Sequence, residues 1–515
     1  MIIRTLSRAH SVYKNTRPGR YDGGVLKLNG ARGAVSRGQI VLRDYADFTI
    51  TGVTFSDFSK PDTCRGENIT IAYQDFVKYN DETPYPDKLS FASECYVKAQ
   101  TSQSIWVNIR VPTAASAGSC RFTATVHTSA GDFTVPCCIK VFAVTVPEPC
   151  DGEFNLEYFL NVTGMPEGVP GRWTPEFYKY LESYASSLLQ IRNNCLDLSL
   201  MPLLADGGSR RVSEDEWLLD FSRVDEFIDF MMSHASIKKL SVRSVIAVVM
   251  GRTVPYFDYD GTEKSVDYTD PQAEVWAKAY WGGIYKHFSE TGRLHMLQLR
   301  LQDEPHYKDC WIWAREMCRK YAPGIICGEP LDTHEVAVEL EGYCDQYIPR
   351  INVYEEGADF YKRMQKKGNQ VWVYSCCFPE ENWFLNKFID LPSRYSRLMS
   401  WACFSQGITG FLHWGYNYWS ETGLYGTSPD ARFKGDGFVV YYDKERGILP
   451  SVRSYQTADG IVDYELLSIA AKKFPVEAMA LAKSLCRTFT DFETDEAALE
   501  NAEDRLYELA ELASI

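Results

Sequence analysis

"LQLRLQDEPHYKDCWIWAREMCRKYA", residues 297–322, joins two kinds of repeat. Leucine alternates with Gln298, Arg300 and Gln302 at the period of a strand; beyond Lys308, apolar residues recur every three or four positions, the period of a helix. Asp303, Glu304 and Pro305 stand between the two. A strand that runs into a helix is the first half of a βαβ unit and calls for parallel neighbours.

The same grammar recurs on both sides. Further strands are predicted at 154–161, 194–200, 239–249, 324–328, 345–354, 370–377 and 407–416, and helices at 175–192, 224–235, 273–290 and 393–407. Eight strands alternating with helices predict a (β/α)8 TIM-like barrel over 149–470. The competing doubly wound sheet lacks its Gly-rich phosphate loop after the first strand.

Upstream the pattern is different. "SIWVNIRVP" (104–112) puts Ile105, Val107, Ile109 and Val111 on one face, and "TSAGD" (128–132) is a turn between two more alternating runs. Short strands without helical periodicity predict an antiparallel β-sandwich over 1–148, ended by Pro147 and Pro149. Downstream, Leu499, Leu506, Leu509 and Leu512 recur at helical intervals and predict C-terminal helices over 471–515. A chain of 515 residues is too long for one core, so a multidomain protein is expected.

Composition narrows the function. Hydrophobic residues at 45% and charged residues at 24% belong to a folded globular chain, and a net charge of −15 excludes a nucleic-acid surface as the main role. The first residues hold no apolar leader and no run reaches 18 apolar residues, so a cytoplasmic protein without a membrane span is expected. The 15 cysteines form no CxxC pair and the eight histidines no ligand spacing, so reduced, buried thiols and no metal or cofactor are expected.

Asp303 and Glu304 fall at the carboxyl end of a strand, where barrels of this kind keep their chemistry. Two adjacent carboxyls raise each other's pKa, which leaves one protonated near neutral pH and suits protonation of a departing glycosidic oxygen. Neighbours in sequence are too close to flank an anomeric carbon, which needs about 5 Å or more between the acids. They fit substrate-assisted hydrolysis instead, in which the sugar's own 2-acetamido oxygen attacks, one acid holds the amide and the other serves the leaving oxygen. The bland reading makes them caps of the helix that follows.

"IKVFAVTVPEP" (139–149), "QDEP" (302–305), "GITGFLHWGYNYW" (407–419) and "DGFVVYYDKERGILPSVRSYQTADGIVDYELL" (436–467) occur in that order. The combination resembles glycoside hydrolase family 123 and its wider group of relatives. The resemblance implies an exo-acting enzyme of the β-N-acetylgalactosaminidase kind, a glycan with a terminal aminosugar as its partner, and neighbouring-group participation. It assigns Asp303 to orienting the acetamido group and Glu304 to acid and then base.

Aromatic faces stack on pyranose rings and amides read hydroxyls, so Trp414, Asn417 and Trp419 are candidate substrate contacts, with Tyr416 in the core. Tyr354 and Tyr374, each at a predicted strand end, are candidates to point a phenol at the sugar. Arg397 and Arg453 are expected to pair with carboxylates, and Asp459, Asp463 and Glu465 to cap a helix. Two other functions stay open: a retaining glycosidase whose nucleophile is Glu380 or Glu381, and a non-catalytic carbohydrate-binding protein.

Overall fold

The computed structural model describes all residues except 20–22, 80, 162–170, 244–250, 420–434 and 515. Its first part is two five-stranded sheets. One has the order Ile2–Leu6, Val35–Arg43, Ser102–Arg110, Ile69–Tyr79, Asp81–Ser90; the other has Leu26–Arg32, Gly131–Thr145, Gly118–Thr128, Phe48–Ser56, Cys95–Val97. Alternate residues of both sheets, among them Leu28, Leu42, Ile105, Val107, Phe122, Val126 and Ile139, fill one shared core. Neighbouring strands are antiparallel with one exception, Leu26–Arg32 beside Gly131–Thr145, where Leu28 lies opposite Ile139 in a parallel pair. Strands begin at Ile2, and the early ones are interrupted by glycine and polar residues that mask the alternation.

The second part is a nearly closed parallel barrel of nine strand segments with helices outside. Numbered within the barrel, these are β1 (Asn155–Tyr158), β2 (Cys195–Leu198), β3 (Lys239–Arg243), β4 (Leu297–Arg300), β5 (Ile326–Leu331), β6 (Gln346–Pro349), β7 (Gln370–Val371), β8 (Val373–Ser375) and β9 (Gly410–His413). Their order is β7-β6-β5-β4-β3-β2-β1-β9-β8. Only Trp372 separates β7 from β8, so the two ends of the sheet meet there; its N–H donates to the Tyr347 carbonyl at 2.9 Å.

One expected strand is corrected. The stretch 345–354 is not one strand: β6 stops at Pro349 and a six-residue helix, Ile351–Glu356, follows. Strand 239–249 is seen as Lys239–Arg243, with 244–250 outside the described residues.

Helix Val452–Ala471 runs between the sandwich, the barrel and the C-terminal helices Pro475–Leu485 and Glu496–Ser514, and every residue from Val452 to Leu467 is buried. Gly460 is required there, because a Cβ would lie 2.6 Å from the Arg397 carbonyl on the adjacent helix Tyr395–Ser405. Its acids are not caps. Asp459 meets Arg37 and, at 3.5 Å, Arg8 from the sandwich; Asp463 takes both arms of Arg397 at 2.6 and 2.9 Å; Glu465 accepts the Phe154 backbone N–H at 2.9 Å. Arg453 grips Asp87 of the sandwich with Nη2 at 2.9 Å. Buried charges survive only when paired, and these pairs stitch the layers together. On the last helix Leu499 and Leu506 are buried, whereas Leu512 is exposed.

Candidate active site

β4 carries polar side chains into the barrel because partners wait for them there. Gln298 Nε2 donates to Glu157 of β1 at 3.0 Å, and Arg300 Nη2 reaches the same carboxylate at 2.7 Å. Glu329 of β5 accepts the backbone N–H groups of Leu301 and Gln302, which fixes the chain as it leaves β4. Burial pushes the carboxyls of Glu157 and Glu329 up. The floor beneath the acid pair is therefore a packed layer of hydrogen bonds.

Above it, Asp303 and Glu304 are half-buried, and Glu304 takes a left-handed backbone at φ 45°. Such a conformation is costly for a residue with a Cβ and is found mainly where the surroundings demand it. The helix begins at Lys308 with Tyr307 as its cap, so the pair stands clear of it and is not a capping element.

The Tyr374 hydroxyl, from β8 on the opposite arc, donates to Glu304 Oε1 at 2.5 Å. Burial raises Glu304, and the Tyr374 bond opposes that. Asp303 is pushed up to about 7, first by burial and then by Glu304, while Arg243 pulls it down. Each acid thus has its own cation: Arg243 beside Asp303 and Arg350 beside Glu304. Arg350 is anchored through Nε on Asn352 at 2.8 Å and Nη2 on the Asp332 carbonyl at 3.2 Å.

Among the aromatic candidates, Tyr374 and Trp414 reach this region. Trp414 belongs to the cluster of Phe159, Trp372, Tyr374 and Tyr418, lies 5.2 Å from Tyr418, and donates its indole N–H to Asp436 at 2.5 Å. Burial pushes Asp436 up to about 7.

The other three candidates are occupied elsewhere. Asn417 spends its amide on the backbone of Asn161, accepting at 2.9 Å and donating at 3.0 Å. Trp419 is buried and donates to the Val440 carbonyl at 3.0 Å. Tyr354 sits in helix Ile351–Glu356, 1% exposed, stacked on Tyr361 at 5.6 Å. A single helical turn displaced its side chain from the strand-end position that alternation implies. Tyr416 is in the core, 2.6 Å from the Ser187 hydroxyl. Glu380, Glu381 and Trp383 are exposed.

Sequence reading missed Asp197, Arg243, Tyr418 and Arg350. The available signal was a charged residue in each of the apolar strands at 194–200 and 239–249. Among the described residues no cluster of three His, Cys, Asp or Glu is placed to hold a metal, and all 15 cysteines are free.

The sequence model of the glycoside hydrolase 123 catalytic domain matches residues 172–470, more than half of the chain. The chain belongs to glycoside hydrolase family 123. It is accordingly a glycoside hydrolase. Among solved structures it is similar to a family 123 glycoside hydrolase from Clostridium perfringens, described for glycolipid glycan hydrolysis. The TM-score is 0.77 at 14% identity, covering 99% of this chain and 97% of that one, a likeness of fold. A β-D-glucuronidase from Dictyoglomus thermophilum (TM-score 0.35, 8% identity, 88% and 72% covered) and an FMN-binding β-glucuronidase from Facaelibacterium prausnitzii (0.34, 10%, 85% and 60%) are too remote to bear on the site. No curated protein matches the chain.

Proposed function

We propose that this glycoside hydrolase removes a terminal β-linked N-acetylhexosamine, N-acetylgalactosamine foremost, from a glycan by substrate-assisted retention. Asp303, ionised, accepts the acetamido N–H and turns the amide oxygen toward the anomeric carbon. Glu304, protonated, gives its proton to the leaving oxygen as the sugar's amide closes on that carbon. Glu304 then takes a proton from the water that opens the ring, and the β configuration returns. In this reading β7 and β8 are one strand broken at Trp372, and the barrel is (β/α)8.

One observation carries the reading: two consecutive acids at the barrel mouth share a desolvated space, while Glu380 and Glu381, the alternative nucleophiles, are exposed. Burial and the neighbouring Glu304 charge push Asp303 up to about 7 while Tyr374 holds Glu304 down, so the pair keeps one proton near neutral pH, and the two roles require that proton to pass to Glu304 as the acetamido N–H meets Asp303. The glycolipid glycans of the Clostridium enzyme are a reasonable first substrate set.

The test is a matched pair of aryl β-glycosides, one with a 2-acetamido group and one with a 2-hydroxyl. Turnover of the 2-acetamido sugar with inhibition by its thiazoline supports the proposal. Turnover of the 2-hydroxyl sugar alone, or a sugar trapped covalently on a side chain, overturns it.

A further inference from the structure

Arg243 is held more tightly than a partner for one carboxylate needs to be. Its Nε and Nη2 engage both oxygens of Asp197 at 3.0 and 2.9 Å, and Asp197 Oδ2 is fixed in turn by the Leu160 backbone N–H at 2.9 Å. Nη2 also lies 3.4 Å from the Tyr418 hydroxyl, and the guanidinium carbon rests 4.5 Å from the centre of the Phe159 ring. These contacts occupy one edge and one face. Nη1 has no partner among the described residues, and the side chain is 20% exposed where Asp197 is 1%. Guanidinium carries five donors in a rigid fork, so two N–H groups remain to be offered beside Asp303.

A lone arginine at a sugar site could bind either hydroxyls or an anion, and the surrounding charge separates the two. Around the mouth stand Asp197, Asp303, Glu304 and Asp332 against Arg243, Arg350 and His306, each arginine already facing acids and His306 lying 3.9 Å from Asp332. A sulfate or carboxylate on the sugar would enter a crowded acidic pocket with no unpaired cation, whereas hydroxyl oxygens accept the N–H groups without adding charge.

We propose that the free edge of Arg243 reads a ring hydroxyl of the terminal sugar and that the site accepts only a terminal sugar without an anionic group. Asp197 is the positioning residue that aims it, through a buried two-point grip. The proposal rests on the glycosidase reading of the acid pair and adds the substrate class and the residue that selects it.

The experiment compares wild type with Arg243→Ala on the p-nitrophenyl 2-acetamido-2-deoxy-β-glycoside and its 3-deoxy and 4-deoxy analogues. Removing the hydroxyl that is read should cost wild type about 10- to 100-fold in kcat/KM, because a built donor is left unpaired. Arg243→Ala should lose as much on the parent sugar and nothing further on that analogue. Equal deoxy penalties in the two proteins for both analogues overturn the assignment. Arg243→Ala strands a buried Asp197, so Asp197→Asn with Arg243→Gln, which leaves no lone charge, repeats the comparison if the first variant melts early. A 6-sulfated version of the same glycoside should turn over at least 100-fold more slowly than its parent, and comparable rates overturn the neutral-sugar rule. If the acetamido reading itself fails, the 2-hydroxyl glycoside is turned over instead, and the deoxy comparison run in that series still decides Arg243.

Discussion

The barrel mouth and the belt around helix Val452–Ala471 use the same residue types to opposite ends. In the belt three buried acids meet an arginine at close range: Asp87 with Arg453, Asp459 with Arg37, Asp463 with Arg397. At the mouth two half-buried acids are set side by side, with no ion pair to either arginine. Pairing fixes a fold; crowding keeps a proton near neutral pH. If the acid pair works as proposed, burial alone does not mark a catalytic carboxyl, since the belt acids are the more deeply buried.

The contrast can be broken first at Glu304. Glu304→Gln should lower kcat/KM on an unactivated 2-acetamido glycoside by about 10³- to 10⁴-fold with little change in melting temperature, as expected for loss of a general acid. A loss below tenfold would move the acid elsewhere. In the belt the reverse is expected. Asp87→Ala leaves Arg453 buried without its carboxylate and should cost about 3–5 kcal/mol, read as a lower urea midpoint, while kcat/KM of the folded protein stays within about twofold of wild type.

The smaller effects concern protons. The Tyr374 hydroxyl stabilises ionised Glu304. Tyr374→Phe should therefore raise the Glu304 pKa and carry the alkaline limb of the kcat/KM profile upward by about 0.5–1 pH unit. An upward shift of the acid limb, with the alkaline limb unmoved, would mean that Glu304 works ionised.

The smallest effect is on stability. Asp303 stands at about 7 in the folded protein, against about 4 unfolded, so the fold binds its proton more tightly. The contribution is favourable below pH 4 and is lost as pH rises toward 7. Asp303→Asn cannot ionise and should melt roughly 1–3 °C above wild type at pH 8, a gap that closes at pH 4.

The sequence showed the strand ends but not what faces them. Asp303, Glu304 and Tyr374 were legible because each ends a run whose alternation is strong enough to locate the carboxyl end. Asp197 and Arg243 lie 46 residues apart, and only barrel closure brings them together; neither strand announces the other. Tyr354 was misplaced because the helix Ile351–Glu356 is too short to show a 3.6-residue period, so "RINVY" reads as a continuing strand. Asn417 and Trp419 sit in the block that resembles the family, yet that block serves mostly to close the barrel against the loop after β1 and the strand Val440–Asp443. Asp459, Asp463 and Glu465 were read as caps because a local spacing rule cannot see partners 422, 66 and 311 positions away.

Helix Val452–Ala471 has a consequence for how the chain is made. Arg8, Arg37 and Asp87 emerge early from the ribosome, but their partners Asp459 and Arg453 are synthesised only in the last eighth of the chain. Until then the sandwich must hold its charged face in water. Docking of the two halves is thereby postponed to the end of translation, and a chain cut short before residue 452 would expose a seam of unmatched charge instead of a half-working enzyme.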